Sequence, residues 1–196
     1  MAEAAGSQRA GGRRRRRRLT GPRRDEPPTL WPDAEEASAH DARLKLVIRT
    51  DGAARGNPGP ASAGAVLIDA SRLDARDPRA PADASISEYL GVQTNNVAEY
   101  TGVVRALELA RELDASEVSL MLDSKLIVEQ LSGRWRIKDA KLIPLWEAAR
   151  ATLRTFDRWS IVHVPRAQNS AADALANEAI DRVHAGGPPV VIRRPM

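Results

Sequence analysis

Four acidic residues in this 196-residue sequence stand where chain geometry gives a carboxylate something to do. Asp51 directly follows the apolar run LKLVIRT (residues 44–50) and precedes Gly52. Asp123 does the same after Val118, Leu120 and Leu122, and precedes Ser124. Glu99 falls in the first turn or so of a helix-periodic segment, on the side of Asn95 and Asn96, and Asp173 lies near the start of the last such segment. Strands that start together in a sheet and end in Asp place both carboxylates at one rim, and strand ends and helix N-termini are where open α/β sheets build sites. Each acid taken alone also has a plain reading: Asp51 and Asp123 as turn residues, Glu99 and Asp173 as anions favoured by helix dipoles. Taken together they imply more, because four carboxylates in a small space raise one another's pKa. Hard divalent cations with oxygen ligands relieve that repulsion, and Mg²⁺ suits the purpose. Two such ions about 4 Å apart can activate a water and stabilise the leaving oxygen of a phosphodiester.

The elements that must position these acids follow an alternating pattern. Residues 44–50 alternate apolar and polar side chains and read as a strand. Residues 52–59 are turn-rich, 63–68 read as a second strand, 70–84 as a polar loop with two prolines, and 86–92 as a third strand. From Asn95 the period changes: Val97, Tyr100, Val104, Leu107 and Ala110 mark one helix face, ending near Leu113. A fourth strand runs to Asp123. Ile127, Val128 and Leu131 mark a short helix stopped by Gly133, and Leu142 to Leu153 a further helix. Residues 159–164 read as a fifth strand, and a last helix follows an N-cap at Asn169 or Ser170. The order is βββ-α-β-α-α-β-α, an α/β class, with no internal repeat.

Composition narrows the function. The chain has no cysteine, which excludes disulfides, zinc–thiolate sites, iron–sulfur clusters and cysteine nucleophiles. No apolar run approaches the roughly 18 residues of a membrane helix, and the basic start lacks the apolar stretch of a secretory signal, so a soluble, cytoplasmic protein without a membrane partner is expected. Residues 1–43 hold ten Arg against seven acidic residues, the run Arg13–Arg18 foremost, whereas the remainder is close to neutral. Residues 1–42 read as a disordered Arg-rich arm that either is plainly solvated or attracts phosphate backbones, other duplex nucleic acid included. Residues 43–184 read as one folded domain, and 185–196 as a flexible tail.

The blocks DGAARGNPGPASAG (51–64), TNNVAE (94–99), Asp123-Ser124, and Asn169 with Asp173 in NSAADALAN resemble, in order and spacing, type 1 ribonuclease H. The resemblance spans roughly residues 44–184. It implies an RNase H-like fold, a five-stranded mixed sheet whose first three strands are antiparallel, with helices on both faces. It implies hydrolysis of the RNA strand of an RNA–DNA hybrid with two Mg²⁺ ions, Mn²⁺ substituting, leaving 5′-phosphate and 3′-hydroxyl ends; a monomer is expected. Asp51, Glu99, Asp123 and Asp173 would be the metal-binding carboxylates. Gly56 and Asn57 in the turn, Thr94, Asn95, Asn96, Ser124 and Asn169 would contact substrate. Asn95 also reads as a helix N-cap.

Several positions depart from better-known members. Lys125 stands where Gln is frequent. The short loop 164–169 carries no His, which leaves Arg166 as the candidate replacement and His163 as a partly buried strand residue. The segment GRWRIK (133–138) is too short for a full basic handle but keeps Trp135 between cations, either a platform for the DNA strand or simple packing. The form resembles archaeal and mycobacterial members. Rival readings are a binding module of the same fold with weak or lost catalysis, a DNA nuclease or transposase on that fold, and an actin-like or sugar-kinase ATPase, which requires two large domains.

Overall fold

A computed structural model describes residues 43–195. The expected Arg-rich arm, residues 1–42, lies outside the described residues. In chain order the elements are β1 (Lys45–Ala54), β2 (Gly59–Asp69), β3 (Ala84–Gln93), α1 (Asn95–Glu112), β4 (Glu117–Leu122), α2 (Lys125–Leu131), α3 (Ile143–Leu153), β5 (Arg158–His163), α4 (Ser170–His184) and β6 (Val190–Arg193). A 3₁₀ turn, Arg166–Gln168, precedes α4.

The strands form one mixed sheet in the order β5-β4-β1-β2-β3-β6. The first three are antiparallel, whereas β4 and β5 run parallel to β1. The expected element order is present, with a sixth strand added. Residues 185–196, expected to be a flexible tail, instead supply β6, which pairs Val190–Arg193 antiparallel with Ser85–Glu88. Arg182 ties this return in place, its Nε donating to the Pro188 carbonyl and its guanidinium to the Ser87 carbonyl. Three prolines and two glycines obscured four β-compatible residues, Val190 to Arg193, whose partner lies a hundred positions away.

β1 differs from the half-wet strand its alternation suggested. Residues 46–52 are all buried, because β1 is central in the sheet and covered on both faces. On one face Leu46 and Ile48 join Leu67, Ile86, Leu120 and the α1 residues Tyr100, Val103 and Leu107 in the main core. Burying each such Leu or Ile contributes about 1.5–3 kcal/mol. On the other face Val47 and Ile68 pack on Ala75 of the 70–83 loop, while α4 lies over Ser62, Gly64 and Ser87.

β1 also runs longer than expected, through Gly52, Ala53 and Ala54, which pair with Ala63, Ser62 and Ala61. Asp51 therefore sits inside a strand, opposite Gly64, rather than at its end. The small residues serve close approach. A Cβ on Gly52 would run into the α1 backbone at Ala98 and Glu99, and one on Gly64 into the α4 backbone at Ala172 and Ala176. Among the described residues no helix is long and apolar enough to cross a membrane.

A Gly64→Ala substitution should push α4 off the sheet. Urea unfolding is expected to show a loss of about 1–3 kcal/mol; an unchanged midpoint would mean that α4 is not seated on Gly64.

Candidate active site

The sheet opens a cavity where β1 and β4 part. Their parallel ladder ends at Ile48 and Leu120. Three residues further on stand two acids, Asp51 still within β1 and Asp123 just past the end of β4. The gap between the two strands is bridged by one amide: Asn169 Nδ2 donates to the Thr50 carbonyl and to Asp123 Oδ1, each at 2.8 Å. A cavity of about 470 Å³ follows, lined by all four predicted acids with Gly52, Asn95, Ser124, Arg166 and Asn177 among its other walls. Acids separated by up to 122 positions in sequence thus meet at the C-terminal ends of the parallel strands, as open α/β sheets favour.

Each carboxylate has its own holder. Thr94 caps α1, its hydroxyl accepting from the Val97 N–H, so the expected cap at Asn95 moves back one residue. Asn95 is freed to donate from Nδ2 to Glu99 Oε1 at 2.7 Å, while its own N–H donates to Asn57 Oδ1. Asp173, one turn into α4, accepts from Arg166 at 2.7 Å and from Asn177 Nδ2 at 3.2 Å. Asp51 accepts from the Gly52 N–H at 2.9 Å.

Charge crowding marks the floor of the cavity. Burial pushes the Asp51 carboxyl up to about 8, helped by the neighbouring charge of Asp123 and by its hydrogen bond with Asp173. Burial also raises Glu99, against the Ser124 hydroxyl and the Asn95 amide, which favour its anion. Asp173 is held below its ordinary value by the Arg166 guanidinium. Among the described residues lining the cavity, Arg166 is the cation, and it stands at the edge on Asp173.

Among the described residues, no three Asp, Glu or His side chains stand as a ready-made chelate. The donor set nonetheless fits a hard divalent cation, because every candidate ligand is a carboxylate oxygen, and burial together with the charge of Asp123 disfavours the Asp51 anion. Asp51, Glu99, Asp123 and Asp173 are the residues that would hold such an ion, and it would supply the positive charge these carboxylates share too little of.

The other predicted residues divide into several groups. Gly56 and Asn57 lie exposed in the β1–β2 turn beside α1. Asn96 faces a second groove of about 460 Å³ with Arg134, Trp135, Arg136 and Lys138. Trp135 is 46% exposed, and Lys125 opens α2 in solvent. Asn169, expected to contact substrate, is fully buried and holds Asp123 instead, since both hydrogens of its amide are engaged inside the fold. His163, expected to be partly buried, is exposed because β5 is an edge strand; its Nε2 lies 3.1 Å from the Asp123 carbonyl oxygen. Asn177 was missed, although its place four residues after Asp173 on one helix is the spacing at which side chains meet.

The chain is similar in sequence and fold to several known proteins. Residues 49–179 match a family described as "Reverse transcriptase-like". A bifunctional protein of Mycobacterium tuberculosis is 44% identical over 138 residues, covering 70% of this chain and 36% of that protein. Its N-terminal RNase H domain, solved as a fusion with maltose-binding protein, superposes with a TM-score of 0.64 over 70% of this chain and all of that one. Ribonuclease HI of Halobacterium salinarum is 45% identical over 131 residues, 67% of this chain and 62% of that protein. LC11-RNase H1 in complex with an RNA/DNA hybrid is 38% identical, with a TM-score of 0.62 over 71% of this chain and 99% of that one. The chain thus spans about a third of the mycobacterial protein and under two thirds of the halobacterial one.

The raised Asp51 carboxyl has a consequence for stability in the metal-free protein. A carboxyl held above its unfolded value favours the folded state while protonated; that contribution is full below pH 4 or so and is lost as the pH rises through about 8. Asp173, held low, contributes the opposite way, and its share is lost only as the pH falls below the ordinary carboxylate range. In chelator, the melting temperature of the wild type should therefore decline between pH 5 and pH 8 more steeply than that of Asp51→Asn. Parallel curves would mean that Asp51 is not crowded.

Proposed function

The chain belongs to the type 1 ribonuclease H family, and from that premise we propose that it is an endoribonuclease hydrolysing the RNA strand of RNA–DNA hybrids, leaving 5′-phosphate and 3′-hydroxyl ends. The observation that carries the reading is the meeting of Asp51, Glu99, Asp123 and Asp173 in one cavity, where burial and the neighbouring acids raise the central carboxyl. The hybrid bound by LC11-RNase H1 supports the choice of substrate.

These four carboxylates would hold two Mg²⁺ ions, with Mn²⁺ able to substitute. When bound, the ions supply charge neutralisation, a more acidic water and stabilisation of the departing oxygen. The protein's own residues prepare the site. Asn95 keeps Glu99 aimed inward, Asn169 fixes Asp123 against β1, and Asn177 steadies Asp173 when Arg166 lets go. Arg166, 79% exposed, is then free to meet a phosphate.

The Asn57–Asn95 contact joins the β1–β2 turn to the head of α1 and presents Gly56, Asn57 and Asn95 to one strand. Amides there can read the ribose 2′-hydroxyl, which both donates and accepts. Asn96 opens onto the groove of Trp135, Arg136 and Lys138, which suits the backbone of the opposite strand, and Thr94, Ser124 and Lys125 would add contacts to substrate. Recognition of strand type and helix shape rather than base sequence follows. The protein would act as a cytoplasmic monomer, with residues 1–42 adding salt-dependent affinity for the hybrid and for other duplexes.

A labelled hybrid should be cut in Mg²⁺ or Mn²⁺ and spared in chelator. Asp51→Asn should lower kcat by about 10² to 10³ while binding survives. An inert wild type that still binds would leave a binding module instead. Deleting residues 1–42 should leave kcat intact and weaken hybrid affinity at low salt, the difference closing as salt rises; equal affinities at low salt would remove the arm from recognition.

A further inference from the structure

β1 carries a cation that the chemistry above does not use. Arg49 is 1% exposed and points to the same sheet face as Asp51, two residues on. Its hydrogen bonds all end on main-chain carbonyls. Nε donates to Gln168 at 3.1 Å, and the two terminal nitrogens donate to Ala75 at 3.4 Å and Arg76 at 2.7 Å. The guanidinium thus joins β1 to two distant segments, the 70–83 loop and the turn that precedes α4.

A buried guanidinium is costly to desolvate, and an aliphatic side chain would fill the space more cheaply. The fork does what an aliphatic chain cannot, holding carbonyls from two separate stretches at fixed angles. What it holds is one residue from the amide that ties the acids together. Gln168 precedes Asn169, whose side chain bridges Thr50 and Asp123, and whose carbonyl accepts the Asp173 N–H at 3.1 Å.

We propose that Arg49 is a positioning residue of the active site: by clamping the Gln168 carbonyl to β1 it sets the Asn169 bridge, and through it the relative placement of Asp123 and Asp173. The 70–83 loop belongs to the same device, since Ala75 and Arg76 supply the two other carbonyls that hold the guanidinium still. The kinetic part of the inference rests on the ribonuclease reading; the structural part does not.

The test compares Arg49→Met and Arg49→Lys with Arg182→Met, which removes a similar carbonyl-holding arginine at the β3–β6 edge. In metal-free protein, amide hydrogen exchange across residues 166–173 should quicken about tenfold in Arg49→Met while the core of α1 keeps its protection. Arg182→Met should quicken exchange only around residues 188–193. On hybrid, Arg49→Met should lose about tenfold in kcat with KM nearly unchanged and should need more Mg²⁺ for half-maximal rate. Arg49→Lys keeps the charge, loses the fork and should fall between; should Arg49→Met fail to fold, Arg49→Lys carries both readouts. Unchanged protection across 166–173, or equal kcat losses in the Arg49 and Arg182 variants, would overturn the proposal. A wild type that fails to cut hybrid would sink the ribonuclease reading alone, and the exchange result would still decide the clamp.

Discussion

Like charges that share a partly buried cavity repel, and this fold must hold four carboxylates together against that repulsion. Coulomb energy between two such groups rises as water is excluded, and Asp51 lies nearly out of water. Part of the repulsion is relieved by the proton that Asp51 retains toward neutral pH, part by Arg166 on Asp173, and part by amides that donate to Glu99 and Asp123. What remains is a set of carboxylate oxygens, the donor chemistry that suits a hard divalent cation.

Holding acids in one place also requires helices that come close to the sheet. Both do so at glycine. Gly52 admits the first turn of α1, which brings Glu99 in, and Gly64 admits α4, which brings Asp173 in. Ala61, Ala63 and Ser62 keep that part of the hairpin thin. A bulkier sequence could have kept the same strand order and left Glu99 and Asp173 too far from Asp51 to share a ligand.

Asparagine does much of the remaining work. Asn95, Asn169 and Asn177 each donate to one of the acids, so amides that the sequence suggested for substrate also, or instead, aim carboxylates. Asn169 is the clearest instance, because its burial removes it from any bound strand. Arg49 sits behind it, buried in β1 two residues before Asp51 and holding the Gln168 carbonyl next to Asn169.

The sequence by itself determined the alternation of strands and helices, the four acids and the blocks around them. These are local signals: the periods of 2 and 3.6, the turn chemistry read at 52–59, which the structure shortens at its start, and acids next to strands and helix starts. It also carried the family resemblance, because the blocks are short and contiguous. Only the tertiary structure decided that β1 is wet on neither face, that residues 190–193 close the sheet as a sixth strand, and that Asn169 faces inward. It alone decided that Arg49 is buried over the carbonyls of Ala75, Arg76 and Gln168. Each of those outcomes depends on which distant segment covers a residue. A single sequence records no such coverage, because burial is a property of the partner as much as of the residue itself.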